Sequence, residues 1–106
     1  MSLRHLVLLR FNPDTAEAEI ERLEATFVAL QQRIEGVRAL EWGRNQSPEG
    51  LDKGYTHAFL IDFDDAAGRD AYLPHPAHQA FVTELKPSLA EVLVIDFAPQ
   101  SDTRPA

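Results

Sequence analysis

Leu3-Arg4-His5-Leu6-Val7-Leu8-Leu9-Arg10-Phe11 is apolar at nearly every position. Its length and branched content predict a buried strand. Side chains alternate along a strand, so Leu6 and Leu8 point one way while Val7, Leu9 and Phe11 point the other. Both faces are therefore apolar. A sheet covered by helices on one face only should alternate apolar and polar residues. Two more segments share the two-sided pattern. Leu89 to Phe97 (L-A-E-V-L-V-I-D-F) sets Leu93, Ile95 and Phe97 against Val92 and Val94. Tyr55 to Phe63 sets Phe59, Ile61 and Phe63 against Ala58 and Leu60. Helices cover one of these faces, and in so short a chain the simplest cover for the other is a second copy. Each such side chain contributes roughly 1.5–3 kcal/mol on burial. Several per subunit predict an obligate homodimer with two sheets packed face to face.

The segments between the strands predict how the sheet is connected. Asn12-Pro13-Asp14 breaks the first strand. Asp14, with Glu17 three residues on, reads as a helix N-cap and its return partner. Ile20, Leu23, Phe27, Leu30 and Ile34 recur at alternating spacings of three and four, which is one helical face. Gly36 is expected at C′ of that helix. Val37 to Arg44 reads as a second strand, and the Gly-, Pro- and Asn-containing stretch from Asn45 to Gly54 as a loop. Asp64-Asp65 is expected to cap a short helix from Ala66 to Leu73. Pro74 and Pro76 interrupt it. A new helix is expected from Pro76, since proline suits the first helical position, with His75 at its N-cap. Ala80, Phe81 and Leu85 would form its apolar face, and Pro87 would end it. The resulting order, β-α-β-β-α-β with the second helix broken, predicts an α+β fold. It is the ferredoxin-like plait, a four-stranded antiparallel sheet with its helices on one face. Two such sheets packed together make a dimeric α/β barrel.

A chain of 106 residues is sized for one domain, expected over 1–99, with a polar, fraying tail over 100–106. The net charge of −7 argues against nucleic acid, which demands clustered Lys and Arg. No apolar run approaches the ~20 residues of a membrane span. The first residues lack the apolar stretch and cleavage site of a signal peptide. Without cysteine there is no disulfide framework and no thiolate chemistry. A cytoplasmic protein without nucleic-acid or membrane partners is expected.

Chemistry concentrates in Tyr72-Leu73-Pro74-His75-Pro76-Ala77-His78, which holds two of the four histidines. Prolines stiffen the backbone that presents them. His78 would lie in the first turn of the new helix, where the helix dipole disfavours an imidazolium. A neutral imidazole is a competent general base. Tyr72 would donate a hydrogen bond to a ligand carbonyl, or to the enolate formed from it. Against this stands a structural reading, in which His75 caps a helix, His78 bonds a backbone carbonyl and Tyr72 packs at a rim. His5 and His57 share the parity of Val7, Leu9, Phe59 and Ile61. They are either polar groups in an apolar enclosure, as in small-molecule sites, or satisfied core histidines. His75 and His78 have a zinc-like spacing but no convincing third ligand, so no metal is expected. Gly50 and Gly54 lack the Lys-Ser or Lys-Thr of a phosphate-binding loop.

Three stretches carry a resemblance to a known family. They are His5 to Phe11; Gly43-Arg44-Asn45-Gln46-Ser47-Pro48-Glu49-Gly50-Leu51 with Gly54-Tyr55-Thr56-His57; and Tyr72 to His78. Together they resemble the stress-responsive α/β-barrel (Dabb) domain family over Leu3 to Pro99. The resemblance implies a dimeric α+β barrel. A plant polyketide cyclase of that family performs a cofactor-free intramolecular aldol condensation with a Tyr and a His. Those roles match Tyr72 and His78 here, its pocket histidine matches His5, and its aliphatic pocket positions match Val7, Leu9, Phe59 and Ile61. Phe27 stands where that enzyme has a pocket Tyr, and Leu23 and Glu24 replace neighbouring aromatics, so its substrate does not transfer. The expectation is a homodimer binding a small apolar molecule near Tyr72 and His78, without cofactor. His5, Val7, Leu9, Phe27, His57, Phe59, Ile61 and His75 are its expected ligand-binding residues. The alternatives are a cofactor-free cyclase, isomerase or lyase with His78 as base, and a structural, stress-associated dimer without ligand.

Overall fold

The structure is a computed structural model, and it describes residues 2–100. Most of the tail expected over 100–106 lies outside the described residues. In chain order the elements are β1 (Leu3–Phe11), α1 (Glu17–Gln31), β2 (Val37–Arg44), β3 (His57–Phe63), α2 (Ala66–Tyr72), α3 (Pro76–Leu85), a 3₁₀ turn (Lys86–Ser88) and β4 (Leu89–Phe97). The four strands form one antiparallel sheet in the order β2-β3-β1-β4. This is the expected plait with its second helix divided.

Register decides which residues face the helices. Val7 pairs with Phe59 on β3 and with Val94 on β4. Leu9, Val92, Ile61 and Phe63 share their face, and α1 and α3 pack Leu23, Phe27, Leu30, Phe81 and Leu85 onto it. Phe59 stacks on Phe27 at 4.3 Å between ring centroids and on its cross-strand neighbour Trp42 at 5.3 Å. Trp42 keeps its outer side exposed. On the opposite face lie Leu6, Leu8, Leu60, Leu93, Ile95 and Phe97. Among the described residues no helix covers them, and Leu93, Ile95 and Phe97 are 39%, 49% and 44% exposed. Cross-strand ion pairs bracket this apolar stripe, Arg4 with Asp62 at 2.5 Å and Arg10 with Glu91 at 3.5 Å.

The structure departs from sequence expectation at several ends. Ala16, not Asp14, is the N-cap of α1, and no side chain caps it. The polar groups before it turn elsewhere: Asn12 N–H donates to the Ser88 carbonyl at 2.8 Å, and Asn12 Nδ2 to the Pro87 carbonyl at 3.2 Å. α1 ends at Gln31 rather than beside Gly36. Gln32 and Arg33 tighten to i→i−3 bonds on Ala29 and Leu30. Ile34 stays buried from outside the helix, and Gly36 supplies the positive φ of the turn into β2. β3 starts at His57, because Tyr55 N–H closes a turn onto Asp52. Ala80 faces solvent, so Phe81 and Leu85 carry the buried side of α3. Asp65 caps α2 through Gly68 N–H at 3.0 Å, and His75 caps α3.

Candidate functional site

Helix α3 and the outer part of the sheet do not close on one another. A cavity of about 300 Å³ remains between them, walled by Val7, Leu9, Phe27, Phe81, Leu85, Val92 and Val94. It lies beside β4, the edge strand, whose Val92 and Val94 remain about half exposed. Of its polar groups, His5, Tyr72, His78 and Asp96 gather together, and Lys86 also lines it. His5 and Asp96 are partners across the β1–β4 ladder. The Tyr72 ring centroid is 6.0 Å from that of His5 and 4.6 Å from that of His78.

Local chain chemistry brings Tyr72 and His78 together. Tyr72 is the last residue of α2, and Leu73 and Pro74 turn the chain into His75, which caps the next helix. The His75 Nδ1 atom accepts from Ala77 N–H at 3.0 Å, and Pro76 occupies the first helical position. His78 then sits in the first turn of α3. The Leu73 carbonyl lies 2.9 Å from His78 Nδ1. A carbonyl only accepts, so Nδ1 carries the proton and Nε2 keeps its lone pair. Burial pushes the His78 pKa below its ordinary value, against the opposing bond to Leu73, with His5 and His75 adding to the lowering. The side chain is therefore a neutral base at neutral pH. Burial raises the Tyr72 phenol to about 12, only partly offset by a hydrogen bond from Gln31. Tyr72 therefore remains protonated and can donate.

A carboxylate anchors this polar cluster. His5 Nδ1 stands 2.6 Å from Asp96 Oδ1, and Arg69 donates to Asp96 Oδ2 at 2.8 Å. Burial opposes ionisation of Asp96, but the bonds from Arg69 and His5 outweigh it and hold the pKa below its usual range. Asp96 and Arg69 escaped the sequence reading. Asp96 is one of two acids in an otherwise apolar strand, and only the register places it opposite His5.

Of the residues singled out from the sequence, His5, Val7, Leu9, Phe27, Tyr72 and His78 meet at the cavity. His57, Phe59, Ile61 and His75 do not line it. Phe59 and Ile61 share the sheet face but are sealed in the core. His75 is committed to its cap. His57 pairs with Leu9 across the antiparallel β1–β3 ladder, whereas His5 pairs with Ile61. Four residues of extended chain, about 13 Å, therefore separate the two histidines. His57 belongs to a different cluster. Its Nε2 meets Glu24 Oε2 at 2.7 Å, and Thr56 Oγ1 meets its Nδ1 at 2.8 Å. Arg44 also donates to Glu24 at 2.7 Å. Burial would raise the Glu24 pKa, but its bonds from Arg44 and His57 lower it instead. Both nitrogens of His57 are thus engaged. Among the described residues, no three His, Cys, Asp or Glu side chains cluster as a metal site. Among the same residues, no helix is long and apolar enough to cross a membrane.

Comparison with known proteins gives a consistent pattern. Residues 3–99 match the family described as Stress responsive A/B Barrel Domain. The chain is 37% identical over 99 residues to stress-response A/B barrel domain-containing protein HS1 of Arabidopsis thaliana, covering 93% of this chain and 91% of that protein. It is 28% identical over 100 residues to olivetolic acid cyclase of Cannabis sativa, covering 94% and 99%. A dimeric ferredoxin-like protein from Thermobifida fusca superposes with a TM-score of 0.78 at 29% identity, covering 93% of this chain and 92% of that one.

Proposed function

We propose, from the premise that this chain belongs to the stress responsive A/B barrel domain family, that it is a homodimer binding a small, largely apolar carbonyl compound beside Tyr72 and His78. One observation carries the reading. A protonated phenol and a neutral imidazole stand together in a cavity of about 300 Å³ whose walls are mainly apolar, with His5, Asp96 and Lys86 as its other polar lining. That combination of apolar walls and a few convergent polar groups is the usual make-up of a small-molecule site. The ligand's hydrocarbon part would contact Val7, Leu9, Phe81 and Val94, and its oxygen would accept from Tyr72. The uncovered stripe of Leu93, Ile95 and Phe97 supports the dimer, as does the dimeric relative from Thermobifida fusca.

A second reading is favoured by the tautomer of His78. With Nδ1–H held by Leu73, Nε2 is the basic nitrogen. It would take a proton from the carbon next to the carbonyl. The C–H electron pair then becomes the enolate, whose oxygen receives the Tyr72 hydrogen bond. The proton transfer needs only these two side chains. The likeness to olivetolic acid cyclase, a cyclase by name, supports the same direction.

Both readings meet one experiment. Methyl hexyl ketone is added to the protein in deuterated water and followed by NMR. Perturbed signals from cavity residues, with no exchange at the α-carbon, identify a binder. Exchange above the buffer rate that disappears in His78→Gln identifies proton abstraction. Absence of any perturbation by either methyl hexyl ketone or n-octane sinks the cavity as a ligand site.

A further inference from the structure

We propose that Gln31 is a positioning residue that directs the Tyr72 hydroxyl proton into the cavity. The proposal rests on the reading of Tyr72 as donor to a bound carbonyl. Gln31 does not line the cavity. It ends α1, is 6% exposed, and reaches the fully buried Tyr72 from outside the cavity lining.

Gln31 Nε2 lies 3.1 Å from the Phe27 carbonyl oxygen and 3.0 Å from Tyr72 Oη. A backbone carbonyl only accepts, so the amide group facing it is the NH₂. Its second hydrogen then goes to Tyr72 Oη. A phenol oxygen that accepts from Gln31 must give its own proton elsewhere. Reversing the amide would set Oε1 against the Phe27 carbonyl, two acceptors in contact, so the orientation has one stable sense. Gln31 Oε1 is buried without a partner among the described residues and does not draw the hydroxyl back. The Tyr72 ring is itself held by edge contacts to Phe63 at 5.2 Å and His5 at 6.0 Å. With the ring fixed, the hydroxyl rotor is the remaining freedom, and Gln31 removes it. The same N–H bond favours the phenolate form. It therefore eases charge onto Oη as the proton is shared with an enolate or carbonyl oxygen.

The test has a ligand-free arm and a ligand arm. Without ligand, the two side-chain amide protons of Gln31 are followed by NMR. Tyr72→Phe should release one of them, with loss of its exchange protection, while the proton on the Phe27 carbonyl keeps its own. If Tyr72→Phe changes neither, the bond and the proposal are overturned. With ligand, methyl hexyl ketone labelled at the carbonyl carbon is bound to the native protein, Gln31→Leu, Gln31→Met and Tyr72→Phe. The carbonyl stretch should move in both Gln31 variants toward its Tyr72→Phe position. Ketone affinity should fall about tenfold, the size of one net hydrogen bond. Affinity for n-octane should stay unchanged, as a merely structural role would not separate the two probes. A native-like stretch in both Gln31 variants overturns the proposal. A native protein that shows the amide coupling yet binds no ketone keeps the Gln31 assignment and removes the ligand reading instead. The Met variant preserves length and apolar volume should the Leu variant fail to fold.

Discussion

His5 Nδ1 and Asp96 Oδ1 stand 2.6 Å apart across the β1–β4 ladder, and Arg69 holds the other oxygen of the same carboxylate. Edge strand β4 is thereby tied to β1 and α2 at the polar cluster of the cavity. Replacing Asp96 by Asn would leave buried His5 without its charged acceptor and Arg69 with Asp70 alone. The expected cost is about 1–3 kcal/mol at neutral pH. Because the folded pKa of Asp96 is lowered, its stabilisation is complete above the ordinary carboxylate value of about 3.9. It is lost as pH falls through the lower folded value. Urea unfolding of native protein and Asp96→Asn should differ at pH 7 and converge in strong acid. Equal stability at pH 7 would remove the pair from the stability account.

His78 is expected to be neutral with its proton on Nδ1. Nitrogen-detected NMR of the imidazoles reads this directly, and an Nε2–H tautomer would end its candidacy as the base. Its folded pKa lies below 6.5, so the fold favours the neutral form. The stability from this source is full above pH 6.5 and declines as pH drops through the folded value. His78→Gln should flatten that decline.

The uncovered stripe makes a prediction about assembly. Ile95→Lys places a charge in the centre of the proposed face-to-face packing, and two-fold symmetry presents it twice. Sedimentation should show a dimer for the native chain and a monomer for the variant at micromolar concentration. A native monomer would refute the dimer.

Phe59 is buried and stacks on both Phe27 and Trp42. Phe59→Ala removes these contacts and leaves a void under α1. The expected loss is about 3–5 kcal/mol, measured by urea denaturation. A loss below about 1 kcal/mol would mean the site collapses far better than such cores do.

Much of the fold was legible because it depends on short periods and local chemistry. Two-sided apolar strands, the face of Leu23, Phe27 and Leu30, and the cap formed by His75 and Pro76 are written within a few residues of one another. The errors fall where distant groups compete. Asp14 has the chemistry of a cap, but neighbouring Asn12 is bound by the carbonyls of Pro87 and Ser88, which lie far along the chain. Gly36 has the freedom of a helix terminus, but that freedom serves the turn into β2.

The candidate site divides along the same line. The sequence by itself determined that Tyr72 and His78 flank a stiff turn, that His5, Val7 and Leu9 share one face, and that one sheet face lacks a helical cover. Parity and proline chemistry suffice for that. Only the tertiary structure decided that His57 lies four strand residues along the sheet from His5, that Asp96 meets His5, and that Gln31 reaches Tyr72. Those outcomes depend on antiparallel register and on where helices cross the sheet, and both are set by contacts between residues far apart in the chain.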